Sequence, residues 1–162
     1  MKVLFVHGLM SSPQGNKARY LAERFEARTP AMNTGDFRGC VDQQAAEIAA
    51  FQPDVVVGSS FGGAVVLQLL IEGAWRGPTL LLAQAALKLD DEARLPDDLP
   101  VLLVHGRGDE VVPVEHSRTL AATSSRAKLL EVDDEHRLIE LTRSDALADL
   151  VQQAKELWEG GE

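Results

Sequence analysis

Basic residues are the scarcer charge in this sequence, with 16 Lys and Arg against 25 Asp and Glu, for a formal net charge of −9. They gather into no run or stripe. An acidic chain of this kind repels a phosphate backbone, so nucleic acid is not an expected partner. Cysteine is almost missing: Cys40 stands alone, which rules out an intrachain disulfide and a Cys-rich zinc site. Long hydrophobic runs are missing too. The apolar stretches at 55–58 and 79–87 have the length of strands, well short of the ~20 residues that span a bilayer. No membrane association is expected. The chain enters a patterned strand directly after Met1-Lys2, without an apolar leader and a small-residue cleavage site, so a cytoplasmic location is the expectation. No repeat or low-complexity segment is visible.

What is present is ordinary globular material, 45% apolar and 25% charged over 162 residues. That length suits one domain covering 1–162 and hardly two. Strand-like and helix-like patterns alternate throughout. Val3, Leu4, Phe5 and Val6 form a short apolar run that ends in His7-Gly8. After Pro13, apolar residues fall at three- and four-residue spacings through Ala18, Leu21, Ala22 and Phe25, which predicts a helix. A weaker strand candidate covers 27–31. The helical spacing returns over 41–51 and stops at Pro53.

Residues 54–59 predict a strand, and 61–72 a helix closed by Gly73. Two more uniformly apolar strands are expected at 79–86 and 101–105, of the kind covered on both faces. A short helix over 114–123 has Pro113 at its first turn. A last strand at 128–132 and a closing helix at 142–158 complete the pattern. About six strands interleaved with helices imply an α/β fold: a mostly parallel sheet between helical layers, a three-layer αβα sandwich. The segment 89–100, rich in Asp and Pro, is loop-like and too short for a domain.

Gly58-Ser59-Ser60-Phe61-Gly62 fits the pattern G-x-S-x-G, and it lies between an apolar strand and a helix. In that setting the central serine sits on a strained turn with its hydroxyl above the sheet, beside the N–H groups of the following helix. Side chains at Gly58 and Gly62 would collide in so tight a turn. The same residues could instead form a plain glycine-rich turn. A phosphate-binding loop would need Gly-Lys-Ser/Thr, which is absent. The glycine spacing selects Ser60 over Ser59 as nucleophile.

A serine hydroxyl is a weak nucleophile until a base, itself oriented by an acid, takes its proton. Asp109 follows the strand at 101–105, in Gly106-Arg107-Gly108-Asp109-Glu110, and is the candidate acid, with Glu110 the nearest substitute. His136, in Asp133-Asp134-Glu135-His136, follows the last strand and is the candidate base. The other readings are a turn aspartate and a solvated histidine. His116 falls in a helix, while His7 and His105 precede glycines at strand ends, where loop orientation is the expected role. The three carboxylates before His136 raise the expectation of an upward-moved pH optimum if one faces the ring. Oxyanion donors are expected at the backbone N–H of Phe61, next after the nucleophile, and in the loop 7–13, where Leu9 is the best candidate.

Together, HGLMSSP, GSSFGG, HGRGDEVVP and DDEHRL resemble the α/β-hydrolase superfamily over the chain from Met1 to the final helix. More narrowly, the chain is similar to compact YqiA-like bacterial esterases, with the retinoblastoma-binding-protein-9-like serine hydrolases as near relatives. The resemblance implies a Ser60–Asp109–His136 triad and an oxyanion loop of the one-glycine type, which places Leu9 at the donor position. Two parts of the usual pattern are missing, the leading hairpin and the cap domain that larger members insert near 88–100.

The expected activity is that of a serine hydrolase, foremost a carboxylesterase acting on small soluble acyl esters through an acyl-enzyme, without metal or cofactor. Thioester or small-amide cleavage would use the same residues. A non-catalytic interaction protein on a hydrolase shell is the reading from another class. Oligomeric state is not legible.

Overall fold

The central sheet grows from the apolar runs. A computed structural model describes residues 1–160. Its strands are β1 (Lys2–Val6), β2 (Glu26–Arg28), β3 (Val55–Ser59), β4 (Thr79–Leu82), β5 (Val101–Gly106) and β6 (Lys128–Val132). They form one sheet in the order β2-β1-β3-β4-β5-β6, and every neighbouring pair is parallel. Parallel strands need crossovers, and helices supply them: α1 (Asn16–Arg24), α2 (Phe37–Phe51), α3 (Phe61–Glu72), the single turn α4 (Ala86–Leu89), α5 (Val114–Ala121) and α6 (Ala146–Gly160). The edge strand β2 has only three residues, which limits the unpaired backbone it offers.

Strand residues alternate between two cores, as a period of two requires. Leu4, Val6, Val56, Leu81 and Leu103 pack with α2, α3 and α5 through Val41, Ile48, Val65, Leu69 and Leu120. Val3, Phe5, Val57, Leu80, Leu102 and Val104 face α1 and α6 through Leu21, Leu147, Leu150 and Val151. The result is the expected three-layer αβα sandwich, and no cap domain is inserted among the described residues.

Several boundaries differ from the pattern, each for a local reason. Helix α2 begins at Phe37 rather than 41, because the Asp36 carboxylate accepts a hydrogen bond from Gly39 N–H at 3.0 Å and caps it. Strand β4 stops at Leu82 instead of 86, since Ala83 adopts φ 46° and leaves the extended region. The expected strand at 27–31 is real but shifted, to Glu26–Arg28. Helix α6 starts at Ala146, and a 3-10 turn at Ile139–Thr142 takes up the residues before it. Helix α5 ends at Ala121 rather than 123.

The segment 90–100 is no lid. It must descend from the end of α4 to the start of β5, and it is pinned on the way. Leu95 and Leu99 are buried, Leu95 N–H donates to Thr123 Oγ1 at 2.9 Å, and Arg76 pairs with Asp98. Burying each leucine stabilises by about 1.5–3 kcal/mol, enough to hold the segment against the flank.

Beside one another in the sheet, β1 and β3 send their chains to opposite sides, β1 toward β2 and β3 toward β4. Their C-terminal ends are therefore the switch point of the sheet, the usual place for a site on such a fold.

Candidate active site

Ser60 follows β3 at that switch point with φ 56° and ψ −117°, a region a non-glycine residue seldom occupies. Such a conformation costs of order 1–3 kcal/mol and persists only when its surroundings fix it. Here both peptide groups are tied. Ser60 N–H donates to Leu82 O at 2.9 Å, and Ser60 O accepts from Gly63 N–H at 2.9 Å and Ala85 N–H at 3.0 Å.

The flanking glycines are sterically required. A Cβ at Gly58 would lie 2.7 Å from Gly62 O and from Val66 Cγ2. A Cβ at Gly62 would run into the carbonyls of Val6 and His7. The turn is therefore tight chiefly because α3 begins against the backbone of β1, a cause the sequence pattern alone did not name. Ser59 is the last residue of β3, and among the described residues the hydrogen bond to His136 comes from Ser60.

Asp109, His136 and Ser60 come together from three loops. Ser60 Oγ lies 3.0 Å from His136 Nε2, and His136 Nδ1 lies 2.7 Å from Asp109 Oδ2. Nδ1 faces a carboxylate, so it carries the hydrogen and leaves Nε2 to accept from the serine hydroxyl. The other Asp109 oxygen, Oδ1, accepts from Val111 N–H at 2.8 Å and Val112 N–H at 2.7 Å. The Asp109 side chain is fully buried, while that of His136 is 20% exposed. Glu110 is exposed and takes no part.

Two further restraints hold the base loop. Gly108 N–H donates to Asp134 O at 3.0 Å, joining it to the Asp109 loop, and Leu138 is buried with φ 49°. From α1, Lys17 Nζ donates to Arg137 O at 2.5 Å. Partial burial, then the nearby Arg137 charge, lower the Lys17 pKa to about 8, with Asp134 acting in the opposite direction. Lys17 was not legible in the sequence, since nothing in a helix pattern points to a carbonyl over a hundred residues away.

Two of the three acidic neighbours of His136 are occupied elsewhere. Asp133 pairs with Arg107 at 2.6 Å, and Asp134 accepts from Glu135 N–H and Glu140 N–H. Among the described residues, Asp109 is the one carboxylate within ion-pair distance of the ring. The condition for an upward-moved pH optimum is therefore not met.

Opposite the base lies the loop after β1. Gly8 approaches so closely that a Cβ there would stand 3.2 Å from Ser60 Cβ. The Gly8 carbonyl is held by His7 Nδ1–H at 2.8 Å and Ser11 N–H at 3.3 Å. In a trans peptide the next N–H, that of Leu9, points the opposite way. Among the described residues neither Leu9 N–H nor Phe61 N–H has a hydrogen-bond acceptor. His7 is buried in the loop just after β1, His105 is buried within β5 rather than in the loop beyond it, and His116 lies in α5.

Several large apolar side chains stand exposed at this end of the sheet. Leu9, Met10, Leu89, Val111 and Ile139 are all exposed, and all follow C-terminal strand ends. The clefts lined by Pro100, Arg126 and Glu156, and by Leu102, Lys128 and Gln153, open at the opposite rim and belong to no part of this site. Among the described residues no group of His, Cys, Asp and Glu is arranged to hold a metal, and no helix is long and apolar enough to cross a membrane.

Solved structures with this architecture match nearly the whole chain. A protein from Xanthomonas campestris pv. campestris assigned to the hydrolases of the alpha/beta superfamily superposes with a TM-score of 0.77 at 26% identity, over 94% of this chain and 97% of its own. The chain has the fold of the α/β-hydrolase superfamily. More distant α/β-hydrolase neighbours share the fold. Est1E from Butyrivibrio proteoclasticus, also solved with ferulic acid bound, has a TM-score of 0.72 at 18% identity, covering 99% of this chain and 87% of its own. A serine hydrolase involved in carbazole degradation has a TM-score of 0.68 at 16% identity, over 93% and 89%. No protein-family model and no curated protein matches the chain.

Proposed function

We propose that this α/β hydrolase is a serine carboxylesterase, with Ser60 as nucleophile, His136 as base and Asp109 as the acid that orients it. One observation carries the reading: the relay from Ser60 Oγ to His136 Nε2 at 3.0 Å, and from His136 Nδ1 to Asp109 Oδ2 at 2.7 Å. Ser60 Oγ attacks the ester carbonyl while His136 Nε2 takes its proton. The N–H groups of Leu9 and Phe61 receive the developing oxyanion. His136 returns the proton to the departing alcohol, leaving an acyl-enzyme. Water, deprotonated by the same nitrogen, then releases the carboxylic acid and restores Ser60.

The exposed apolar side chains of Leu9, Met10 and Val111 support small acyl esters as the substrate class, because they offer contact surface to a short acyl group. Est1E holds a carboxylic acid, the kind of product such a reaction leaves. Thioesters and small amides fit the same chemistry with other leaving groups. The lone Cys40 suits a reducing compartment, and we read the enzyme as cytoplasmic, acting on a small-molecule acyl ester.

The test is a panel of p-nitrophenyl esters of rising acyl length, run on the wild type and on Ser60→Ala. Acetate to butyrate esters should be the better substrates, and Ser60→Ala should lose activity by roughly 10⁴-fold or more. Equal hydrolysis by the variant would remove Ser60 from the reaction.

A further inference from the structure

Behind the acid lies a buried polar chain that the mechanism above does not use. His105 is the next-to-last residue of β5 and is completely buried, as are Gln84 and Ser117. Polar groups in such a place cost several kcal/mol unless each finds a partner, and here each does. Gln84 Oε1 accepts from Ala86 N–H at 2.8 Å, which fixes the amide so that its Nε2 donates to Ser117 Oγ at 2.9 Å. Ser117 Oγ lies 2.7 Å from His105 Nδ1. On the far side, His105 Nε2 lies 2.8 Å from Val112 O and 3.1 Å from Asp109 Oδ2.

Both of these last neighbours are acceptors only, so the hydrogen is on Nε2. Nδ1 is then an acceptor and takes the Ser117 hydroxyl hydrogen. Every donor in the chain points the same way, from Gln84 through Ser117 and His105 toward the acid. The aligned bond is the one to Val112 O, and the carboxylate oxygen lies beside it, off its axis. Val112 is also the residue whose N–H binds Asp109 Oδ1. The ring thus grips the turn at Val112 O and sets a positive N–H edge against Oδ2, the oxygen that holds His136.

We infer that His105 is a positioning residue for Asp109, and that Gln84 and Ser117 hold it in the tautomer this role requires. The inference rests on the triad reading of the same site. Asp109 has two bonds to orient, and the Val111 and Val112 N–H groups control only Oδ1. Without His105, Oδ2 keeps His136 as its one neighbouring donor, and the turn at Val112 loses its anchor. The carboxylate is then free to rotate away from the line that aims Nε2 at Ser60.

The experiment compares His105→Leu, His105→Gln and Ser117→Ala with the wild type. Glutamine places an amide N–H near the position of Nε2, whereas leucine fills the space without a donor. His105→Leu should lower kcat by roughly tenfold to a hundredfold with KM little changed, the scale of a small misplacement in a catalytic group. His105→Gln should recover most of that loss, and Ser117→Ala should fall between. A purely structural histidine would instead give Leu and Gln variants that lose melting temperature together, with kcat per folded molecule unchanged. Folded Leu and Gln variants with kcat within threefold of wild type would overturn the inference.

Should His105→Leu fail to fold, Ser117→Ala decides alone: no fall in kcat would overturn the inference. A second readout does not need turnover. The downfield proton resonance of His136 Nδ1–H should shift and broaden in Ser117→Ala and His105→Leu and stay near its wild-type position in His105→Gln. If wild type and Ser60→Ala are both inert toward esters, the function reading fails while this resonance still tests the positioning role. An unchanged resonance in all three variants would end it.

Discussion

Ser60 and its neighbours show how single residues are forced by geometry. The left-handed backbone at Ser60 is held because its N–H and C=O are bonded into β4 and the turn after it. Ala83 and Leu138 also carry positive φ, and both lie in loops at this same end of the sheet. Strain has collected where the chemistry is proposed. At the edge of the site, Lys17 makes a prediction of its own. Burial, followed by the Arg137 charge, brings its amine to about 8 in the fold from 10.5 in the free chain.

Between those two values the unfolded chain binds a proton that the folded protein does not. Stability contributed by this group therefore rises with pH from about 8 to 10.5, and below 8 the group contributes no slope. In Lys17→Met that rise should flatten. Urea unfolding across a pH series checks it, and identical slopes in the two proteins would refute the placement of Lys17.

Elements were legible in the sequence where an apolar period ran uninterrupted. Helix α3 and strand β6 lie where the spacing puts them, at Phe61–Glu72 and Lys128–Val132. The misses occurred where a polar side chain or a single φ decided the boundary. Asp36 adds a turn to α2 that apolar spacing does not reveal, although an Asp three residues before an N–H it can cap is a readable signal. That turn matters for packing, since it brings the Phe37 ring edge-on to Phe61 at 5.8 Å. Asp36→Ala should destabilise the protein by about 1 kcal/mol, as the loss of a helix cap does. A urea midpoint unchanged from wild type would show that the cap is dispensable.

Across the whole molecule, the site residues were readable because each follows a strand. Ser60, Asp109 and His136 lie after β3, β5 and β6, and a parallel sheet delivers all three ends to one rim. What supports them was not readable in the same way. Gln84 interrupts an apolar run and Ser117 lies on a helix face, and no pattern in the chain links them. Their meeting with His105 depends on how α5 settles against β5, a matter of packing. The overall architecture likewise followed from alternation, whereas the cause of the tight elbow, α3 starting against the β1 backbone, needed coordinates.

The central claim is that the Ser60 oxygen becomes covalently bonded to the group it attacks. Intact-protein mass spectrometry after exposure to a fluorophosphonate tests it most directly. One phosphonyl adduct per chain should form, mapping to the peptide that contains Ser60 and missing from Ser60→Ala. A folded wild-type protein that stays unmodified, or an adduct that persists in Ser60→Ala, would contradict it.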